Sequence, residues 1–237
     1  KNMKWNKKYN YPKSSRSILN GSRHYNVNNQ ILPSVTSILS LTRSDSEKAS
    51  LAAWAERVGK SESLRVKNTA AARGTEMHQK IEDFLLSRDN LNLFEEDQSD
   101  EKNKAKKMAD LIINEGLKPS LSEINGVECV CYYSGSNGFS GTSDLIGVFE
   151  GVQSVIDFKQ KNSIMKESYE SLQTYFAQCG AYSLAHNKTY GSNITQGVIL
   201  LATTDLVFQI FRVKGEKLIE YQNKFLERVE KYYSIVR

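Results

Sequence analysis

The sequence has few cysteines, few prolines and no long apolar run. Three cysteines in 237 residues cannot form a disulfide framework, and their scarcity favours a reducing compartment. No apolar stretch approaches the roughly 20 residues of a membrane-spanning helix, so we expect no membrane partner. The 12 tyrosines and 9 phenylalanines recur in periodic apolar segments, which excludes a disordered chain. A folded chain of this length can bury a sizeable core.

Acidic residues are absent from the first 44 positions. That segment holds eight lysine or arginine residues, whereas the rest of the chain has 24 basic and 27 acidic residues. We therefore predict that residues 1–32 form a basic, aromatic N-terminal arm with little periodicity. Basic side chains mixed with aromatic rings suit a single nucleic-acid strand, because they neutralise phosphates and stack on bases. The alternative interpretation is a solvated, poorly ordered tail.

Beyond the arm, the sequence predicts one domain over residues 33–237. Helical apolar spacing dominates residues 33–116, where Ser44 and Glu47 form a capping box at one helix start. Residues 117–237 begin with three strands, and a helix, two strands and a final amphipathic helix follow. This order predicts an α/β (α+β) fold in which helices flank a mixed central sheet.

Two titratable residues stand two positions apart in a predicted strand, Asp157 and Lys159. Residues two apart share a face, so this pair is most simply an ion pair on an edge strand. If Glu150-Gly151 forms a two-residue hairpin turn, however, Asp144 lies directly opposite Asp157 on the preceding strand. Two carboxylates that close repel each other unless a proton or a cation separates them.

A third acid joins this row if residues 134–138 form the preceding loop. That register places Glu128 beside Asp144, although a bulge at Gly141 would shift it. Three acids across three strands, with Lys159 next to them, indicate a divalent-metal site. Oxygen-rich ligation favours Mg²⁺ or Mn²⁺ over zinc.

Four short motifs, in order along the chain, resemble those of the PD-(D/E)XK nuclease superfamily. The two central motifs resemble the nuclease core, and the first and last resemble its RecB-type branch, which carries a helical histidine and a Q-x-x-x-Y element. The motifs are Arg73-Gly74-Thr75-Glu76-Met77-His78, Gly141-Thr142-Ser143-Asp144-Leu145, Ile156-Asp157-Phe158-Lys159 and Gln178-Cys179-Gly180-Ala181-Tyr182. Pro33-Ser34-Val35-Thr36 and Trp54 are similar to segments of the mitochondrial genome maintenance exonucleases and their phage-encoded relatives.

The resemblance implies a restriction-endonuclease-like fold and a role for each central residue. Asp144, Asp157 and the main-chain carbonyl of Phe158 would bind the Mg²⁺ or Mn²⁺ ion. Lys159 would lower the pKa of the attacking water or stabilise charge on the phosphorane. His78 would be an additional ligand; the alternative is an exposed helical histidine.

Further residues are implied to bind or orient the substrate. Glu128 would bind or orient the metal or its water, the alternative being a surface acid. Tyr175, Gln178 and Tyr182 form one helical stripe, for which the alternative is ordinary core. For Ser34 and Thr36, at the start of the first helix, the alternative is helix capping. The implied substrate-binding residues are Gln178, Tyr182, Tyr175, Arg73, Thr75, Ser34 and Thr36.

The function implied is a divalent-metal-dependent DNA exonuclease that prefers single-stranded DNA with a free end and leaves 5′-phosphates. One alternative is a structure-specific endonuclease that cuts flaps or branches. Another is a non-catalytic nucleic-acid binder on a decayed nuclease fold, although the intact set of Asp144, Asp157 and Lys159 argues against it. Unpaired bases could stack on Trp54 or Tyr175, unless these rings belong to the core.

Expectations for cofactors and partners follow from the same resemblance. We expect no iron–sulfur cluster, because only three cysteines are present and Cys129 and Cys131 lie two apart in a strand. The expected partners are single-stranded DNA and replication or recombination proteins, and the protein is expected to be a monomer. Its expected location is the cytoplasm (the host cytoplasm if phage-encoded), or the mitochondrial matrix if a transit peptide has been removed.

Overall fold

The computed structural model describes residues 3–88 and 99–237 and contains two β-sheets. The strands are β1 (Lys4–Trp5), β2 (Ser14–Leu19), β3 (Ser22–Val27), β4 (Gln30–Pro33), β5 (Leu121–Tyr133), β6 (Phe139–Phe149), β7 (Val152–Lys161), β8 (Gln196–Thr203) and β9 (Phe208–Lys214). The central sheet has the order β1-β5-β6-β7-β8-β9, with parallel β1–β5 and β7–β8 pairs, and β2-β3-β4 form a small antiparallel sheet. The predicted mixed α/β architecture is confirmed.

Helices cover both faces of the central sheet. They are α1 (Val35–Leu41), α2 (Asp45–Val58), α3 (Lys60–Leu85), α4 (Asp100–Leu111), α5 (Lys118–Ser120), α6 (Glu170–Tyr190) and α7 (Glu216–Val236), and a π-helical turn at Ile112–Leu117 joins α4 to α5. Ser44 caps α2 as predicted, because its Oγ accepts a hydrogen bond of 3.1 Å from the Glu47 N–H. No helix in the described parts of the chain is long and apolar enough to cross a membrane.

Two hydrophobic cores lie on opposite faces of the central sheet. Helices α1, α6 and α7 pack on one face, and α3 and α4 pack on the other. Alternation along β7 divides its residues between them, so Val155 enters the first core whereas Ile156 and Phe158 enter the second. Asp157 therefore lies on the α6 side of the sheet.

Strands β6 and β7 separate before β7 ends. Their antiparallel ladder begins at the predicted Phe149–Val152 pair and ends at Leu145–Ile156. Beyond that pair β7 stays hydrogen-bonded to β8, while β6 stays paired with β5. We call this opening the fork. Asp144 lies at its apex, and its Oδ2 accepts the N–H of Phe158 at 2.8 Å. A side chain thus satisfies a backbone donor that the strand pairing leaves free.

The β5–β6 ladder has the predicted register at its upper end, from Tyr133–Phe139 to Cys129–Ser143. Gly141 pairs regularly, and the register shifts instead occur near the start of β5.

The N-terminal region is more ordered than the aperiodic arm that the sequence predicts. Residues 14–33 form the small sheet, and both of its turns use residues with positive φ. Asn20 and Gly21 form the first turn, and Asn28 and Asn29 form the second. Asn-Gly is a strong hairpin signal in sequence. The prediction of an aperiodic arm overlooks this signal.

Residues 3–12, which we call the strap, lie against the central sheet. Lys4 pairs with Glu123 as part of β1, and the Trp5 indole donates a hydrogen bond to the Leu85 carbonyl. Tyr11 OH lies 2.8 Å from Nε2 of the buried His186, and the Tyr9 ring packs edge-on against the same imidazole. The hypothesis that the aromatic rings of the arm stack on bases is therefore wrong for the strap.

Candidate active site

A cleft of about 820 Å³ opens at the fork. It is bordered by β6, β7, α3, α6 and the small sheet. Twelve of the thirteen residues that the sequence analysis assigns to the site line this cleft: Ser34, Thr36, Thr75, His78, Glu128, Asp144, Asp157, Phe158, Lys159, Tyr175, Gln178 and Tyr182. The thirteenth, Arg73, does not.

Asp144 and Asp157 lie within hydrogen-bonding reach of each other at the apex of the fork. Burial raises the pKa of Asp144. The charge of His78 and several hydrogen bonds lower it by more, so the net pKa lies well below the usual carboxyl range. Burial also raises the pKa of Asp157; the charge of Lys159 opposes this effect and that of Asp144 adds to it, so the pKa stays raised. The metal-free pair therefore favours holding one proton between two carboxyl groups.

Lys159 is held by groups from β7 and α6. Its Nζ lies 2.8 Å from Asp157 Oδ2, and it donates a hydrogen bond of 2.8 Å to Gln178 Oε1. Gln178 Nε2 in turn donates to Tyr182 OH at 3.0 Å, and the Lys159 ammonium lies 4.6 Å from the Tyr175 ring centroid. Burial lowers the pKa of Lys159, but Asp157, Tyr175 and Asp144 together raise it by more, so the amine stays protonated.

The helical stripe acts on the site mainly through Lys159. Tyr182 is 3% exposed and Gln178 is 9% exposed, so both are core residues that position the lysine. Tyr182 also requires glycine at position 141, because a Cβ added there would lie 2.7 Å from its Cε1 atom. Tyr175 is half-buried, and the ammonium group of Lys161 also lies over its ring, at 5.7 Å.

His78 reaches the fork from α3, which continues through Gly74 without interruption. Its Nε2 is 3.3 Å from Asp144 Oδ2, and its Nδ1 lies 2.8 Å from the Gly74 carbonyl oxygen. Burial lowers the pKa of His78, but the Asp144 carboxylate, the Gly74 carbonyl and Asp157 together more than offset this and raise it to about 9. A backbone carbonyl on Nδ1 is the partner that metal-binding histidines commonly use to orient Nε2.

Glu128 lies on the open side of the cleft. It adopts a positive φ of 53°, at the point in β5 that faces Asp144 in the ladder register. Partial burial, and then the charge of Asp144, raise the pKa of the Glu128 carboxyl to about 7.

The donor atoms at the fork fit a divalent cation in type. Asp157 Oδ2 is buried, and it lies 2.8 Å from the Lys159 ammonium nitrogen. Yet within residues 3–88 and 99–237 no three His, Cys, Asp or Glu side chains surround one metal position. The carboxylates contact His78 and Lys159 instead. Metal binding would therefore replace these two contacts.

Arg73 is buried outside the cleft. Its guanidinium donates hydrogen bonds of 2.8 Å to Gln160 Oε1 and to Asn162 Oδ1, and it lies 3.7 Å from a carboxylate oxygen of Glu101. This arginine joins α3 to β7. The proposed phosphate contact is wrong for Arg73, because its donors already have partners in the protein.

Three polar residues at the rim of the cleft have local partners. Ser34 Oγ caps α1 by accepting the Ser37 N–H at 3.0 Å, as the capping alternative predicts. Thr75 Oγ1 donates to the Ala71 carbonyl oxygen, and Thr36 is exposed next to Ser34. Trp54 lies on α2 outside the cleft lining, with the Lys67 ammonium 5.9 Å from its ring centroid.

Three residues of the small sheet line the cleft although the sequence analysis does not assign them to the site: Arg16, Arg23 and Tyr25. They belong to the segment that the sequence predicts as an arm.

Comparison with known proteins gives distant structural similarity. No family model and no curated protein matches the chain. The solved structure of the "Putative exonuclease" of Eubacterium rectale is 14% identical, covering 69% of this chain and 67% of that one, with a TM-score of 0.47. SSO0001 is 11% identical, covering 71% of this chain and 86% of that one, with a TM-score of 0.32. At these TM-scores neither similarity carries a functional argument.

Proposed function

We propose that the protein is a divalent-metal-dependent deoxyribonuclease that hydrolyses phosphodiester bonds and leaves 5′-phosphates. The observation that carries this proposal is the fork. It holds two largely buried carboxyl groups within hydrogen-bonding reach of each other, and a protonated lysine beside them. Carboxylate oxygens are the ligands that Mg²⁺ and Mn²⁺ prefer.

Asp144, Asp157, the Phe158 carbonyl and His78 would hold the metal, which would supply Lewis-acid stabilisation of a phosphoryl oxygen. Lys159 brings a fixed positive charge to the same place. Because Gln178 would still hold its ammonium once a metal replaced the contact with Asp157, little reorganisation is needed when negative charge develops on the phosphate.

Glu128 is an exposed residue of the cleft lining, and partial burial raises the pKa of its carboxyl to about 7. It is therefore suited to orient the attacking water and to take up a proton near neutral pH.

A preference for a single strand with a free end is supported by α2 and the first part of α3. No residue of α2 is buried. Ser44, before α2, donates a hydrogen bond to Glu170 at the start of α6, and the Ala70 carbonyl of α3 accepts one from Gln160 of β7. Residues 45–70 thus connect two elements that border the cleft. A bridge of this kind would let a flexible strand enter by its end more easily than a duplex.

The test is digestion of labelled DNA with Mg²⁺, Mn²⁺ or EDTA. We expect linear single-stranded DNA to be degraded from a terminus, blunt duplex to be a poor substrate and EDTA to stop the reaction. Covalently closed single-stranded circles should survive under the same conditions. Rapid cutting of circles would contradict the exonuclease proposal and favour the structure-specific endonuclease. The absence of any metal-dependent product would contradict nuclease activity altogether.

A further inference from the structure

Arg16, Arg23 and Tyr25 form one surface of the small sheet. Arg16 of β2 and Tyr25 of β3 are cross-strand partners, and Arg23 precedes Tyr25 by two positions on β3. Cross-strand partners share a face of a sheet, and so do residues two apart in a strand. We call this surface the arginine face. It borders the cleft at the fork.

Hydrogen bonds fix the arginine face relative to the strand that carries Asp144. The Arg23 carbonyl accepts the Ser34 N–H at 3.0 Å, and the Arg23 N–H donates to Ser37 Oγ at 3.1 Å. Ser34 also forms a β-bridge with Ser140 of β6. The backbone at Arg23 is therefore positioned by the same strand that leads to the fork.

The charged groups at the cleft differ in whether they already have partners in the protein. Lys159 is held by Asp157 and Gln178. Neither Arg16 nor Arg23 forms an ion pair with an acid in the described ranges, 3–88 and 99–237. Acidic side chains otherwise line the cleft and would repel a polyanion: Glu82, Glu128, Asp144 and Asp157. Guanidinium groups bind phosphate by paired, charge-assisted hydrogen bonds.

We propose that the arginine face binds the nucleic-acid strand next to the point of cleavage. Arg16 and Arg23 are diagonal neighbours, with Cα atoms about 7–8 Å apart, so each can contact its own phosphate. Tyr25 lies beside both and stacks on a base. This inference rests on the proposed function, since it assigns the part of the substrate-binding surface that faces the fork.

The experiment measures binding of a short labelled single-stranded oligodeoxynucleotide by fluorescence anisotropy in EDTA, across a range of KCl concentrations. For Arg16→Ala/Arg23→Ala we expect about 100-fold weaker binding at low salt, roughly tenfold for each charged contact. The slope of log K against log[KCl] should fall by about 1.4, or about 0.7 for each phosphate contact. Tyr25→Leu should weaken binding about tenfold with the slope unchanged, because stacking releases no counterions.

Arg212→Ala is the matched control. It removes the same charge from β9, where Arg212 contacts Glu150 at the far end of the β6–β7 hairpin. Its affinity should stay within about twofold of wild type, and its salt slope should be unchanged. The conservative Arg16→Lys/Arg23→Lys variant should keep the salt slope but lose part of the affinity, because lysine lacks paired donors.

Unchanged affinity and salt slope in Arg16→Ala/Arg23→Ala would overturn the inference. If circular dichroism shows that the double variant is unfolded, the exposed single variant Arg16→Ala decides by the same criteria. Cleavage by the wild type with Mg²⁺ is measured in parallel. If the wild type cleaves DNA but the arginine substitutions do not change binding, the proposed function is kept and the arginine face is rejected as a binding surface. Arginine-dependent binding without cleavage overturns the nuclease and keeps the binding surface.

Discussion

The two ends of the β6–β7 pair differ sharply although only a few residues separate them. By the hairpin end we mean the whole ladder, from Phe149–Val152 to Leu145–Ile156; its pairing is regular, and apolar side chains such as Phe149 and Ile156 are fully buried. At the fork, the ladder stops and Asp144 and Asp157 replace apolar residues. Burial of carboxyl groups opposes folding, whereas burial of apolar side chains favours it. The hairpin end thus stabilises the sheet that holds the charged groups of the fork in place.

This comparison predicts that acid-to-amide substitution at the fork removes activity and not stability. Asp157→Asn should lower the cleavage rate by at least roughly 1,000-fold, because it removes a negative ligand for the cation. Affinity for single-stranded DNA in EDTA should stay close to that of the wild type. Cleavage is measured on end-labelled DNA, and binding by anisotropy. A variant that still cleaves at a tenth of the wild-type rate would remove Asp157 from the mechanism.

Substitution of Ile156, the residue before Asp157, should have the opposite effect, because it should reduce stability. Ile156 is fully buried in the core on the α3 side and forms the last pair of the ladder, with Leu145. Ile156→Ala should lower the free energy of unfolding by about 2–5 kcal/mol, from lost burial and the cavity left behind. Urea unfolding followed by circular dichroism measures this change. A stable Ile156→Ala protein would show that the hairpin end does not support the fork.

The fork is predictable from sequence because it depends on one turn. Glu150-Gly151 sets the pair Phe149–Val152, and each later pair follows from that register. The turn does not indicate at which residue pair the ladder ends. At the point where β6 separates from β7, the Phe158 N–H donates to the Asp144 side chain and not to a strand partner, which the turn does not indicate.

The arginine face escapes the sequence analysis for a different reason. Its strands expose apolar residues such as Ile18 and Ile31, so the alternation that marks a half-buried strand is weak. Basic and aromatic residues are denser in the strap, residues 3–12, than in the small sheet, residues 14–33, yet only the sheet borders the cleft. Composition alone would therefore favour the wrong segment, whereas the Asn20-Gly21 turn indicates the hairpin that borders the cleft.

The pH dependence of stability sharpens the comparison further. The folded-state pKa of Asp157 is raised, first by burial, so the charged form is less favourable in the folded protein than in the unfolded chain. In metal-free buffer the wild type should therefore lose stability as the pH rises above about 4, the ordinary carboxyl pKa. Asp157→Asn cannot ionise at this position and should lack the contribution of Asp157, whereas the raised pKa of Glu128 affects both proteins. The stability difference between the two proteins, from urea unfolding, should grow with pH; a constant difference would contradict it.

The smallest effect is expected at the opposite end of the same strand pair. Glu150 lies in the hairpin turn and contacts Arg212, and both side chains are about one-third exposed, at 36% and 34%. Solvent screens such a pair, so Glu150→Gln should change the free energy of unfolding by no more than about 1 kcal/mol. Glutamine keeps the size of the side chain and leaves the positive φ of the turn as it is. Because this is the same acid-to-amide change as Asp157→Asn on the same two strands, cleavage by Glu150→Gln should remain within about twofold of wild type. A large loss of cleavage in Glu150→Gln would mean that net charge, and not the position of the carboxylate at the fork, governs activity.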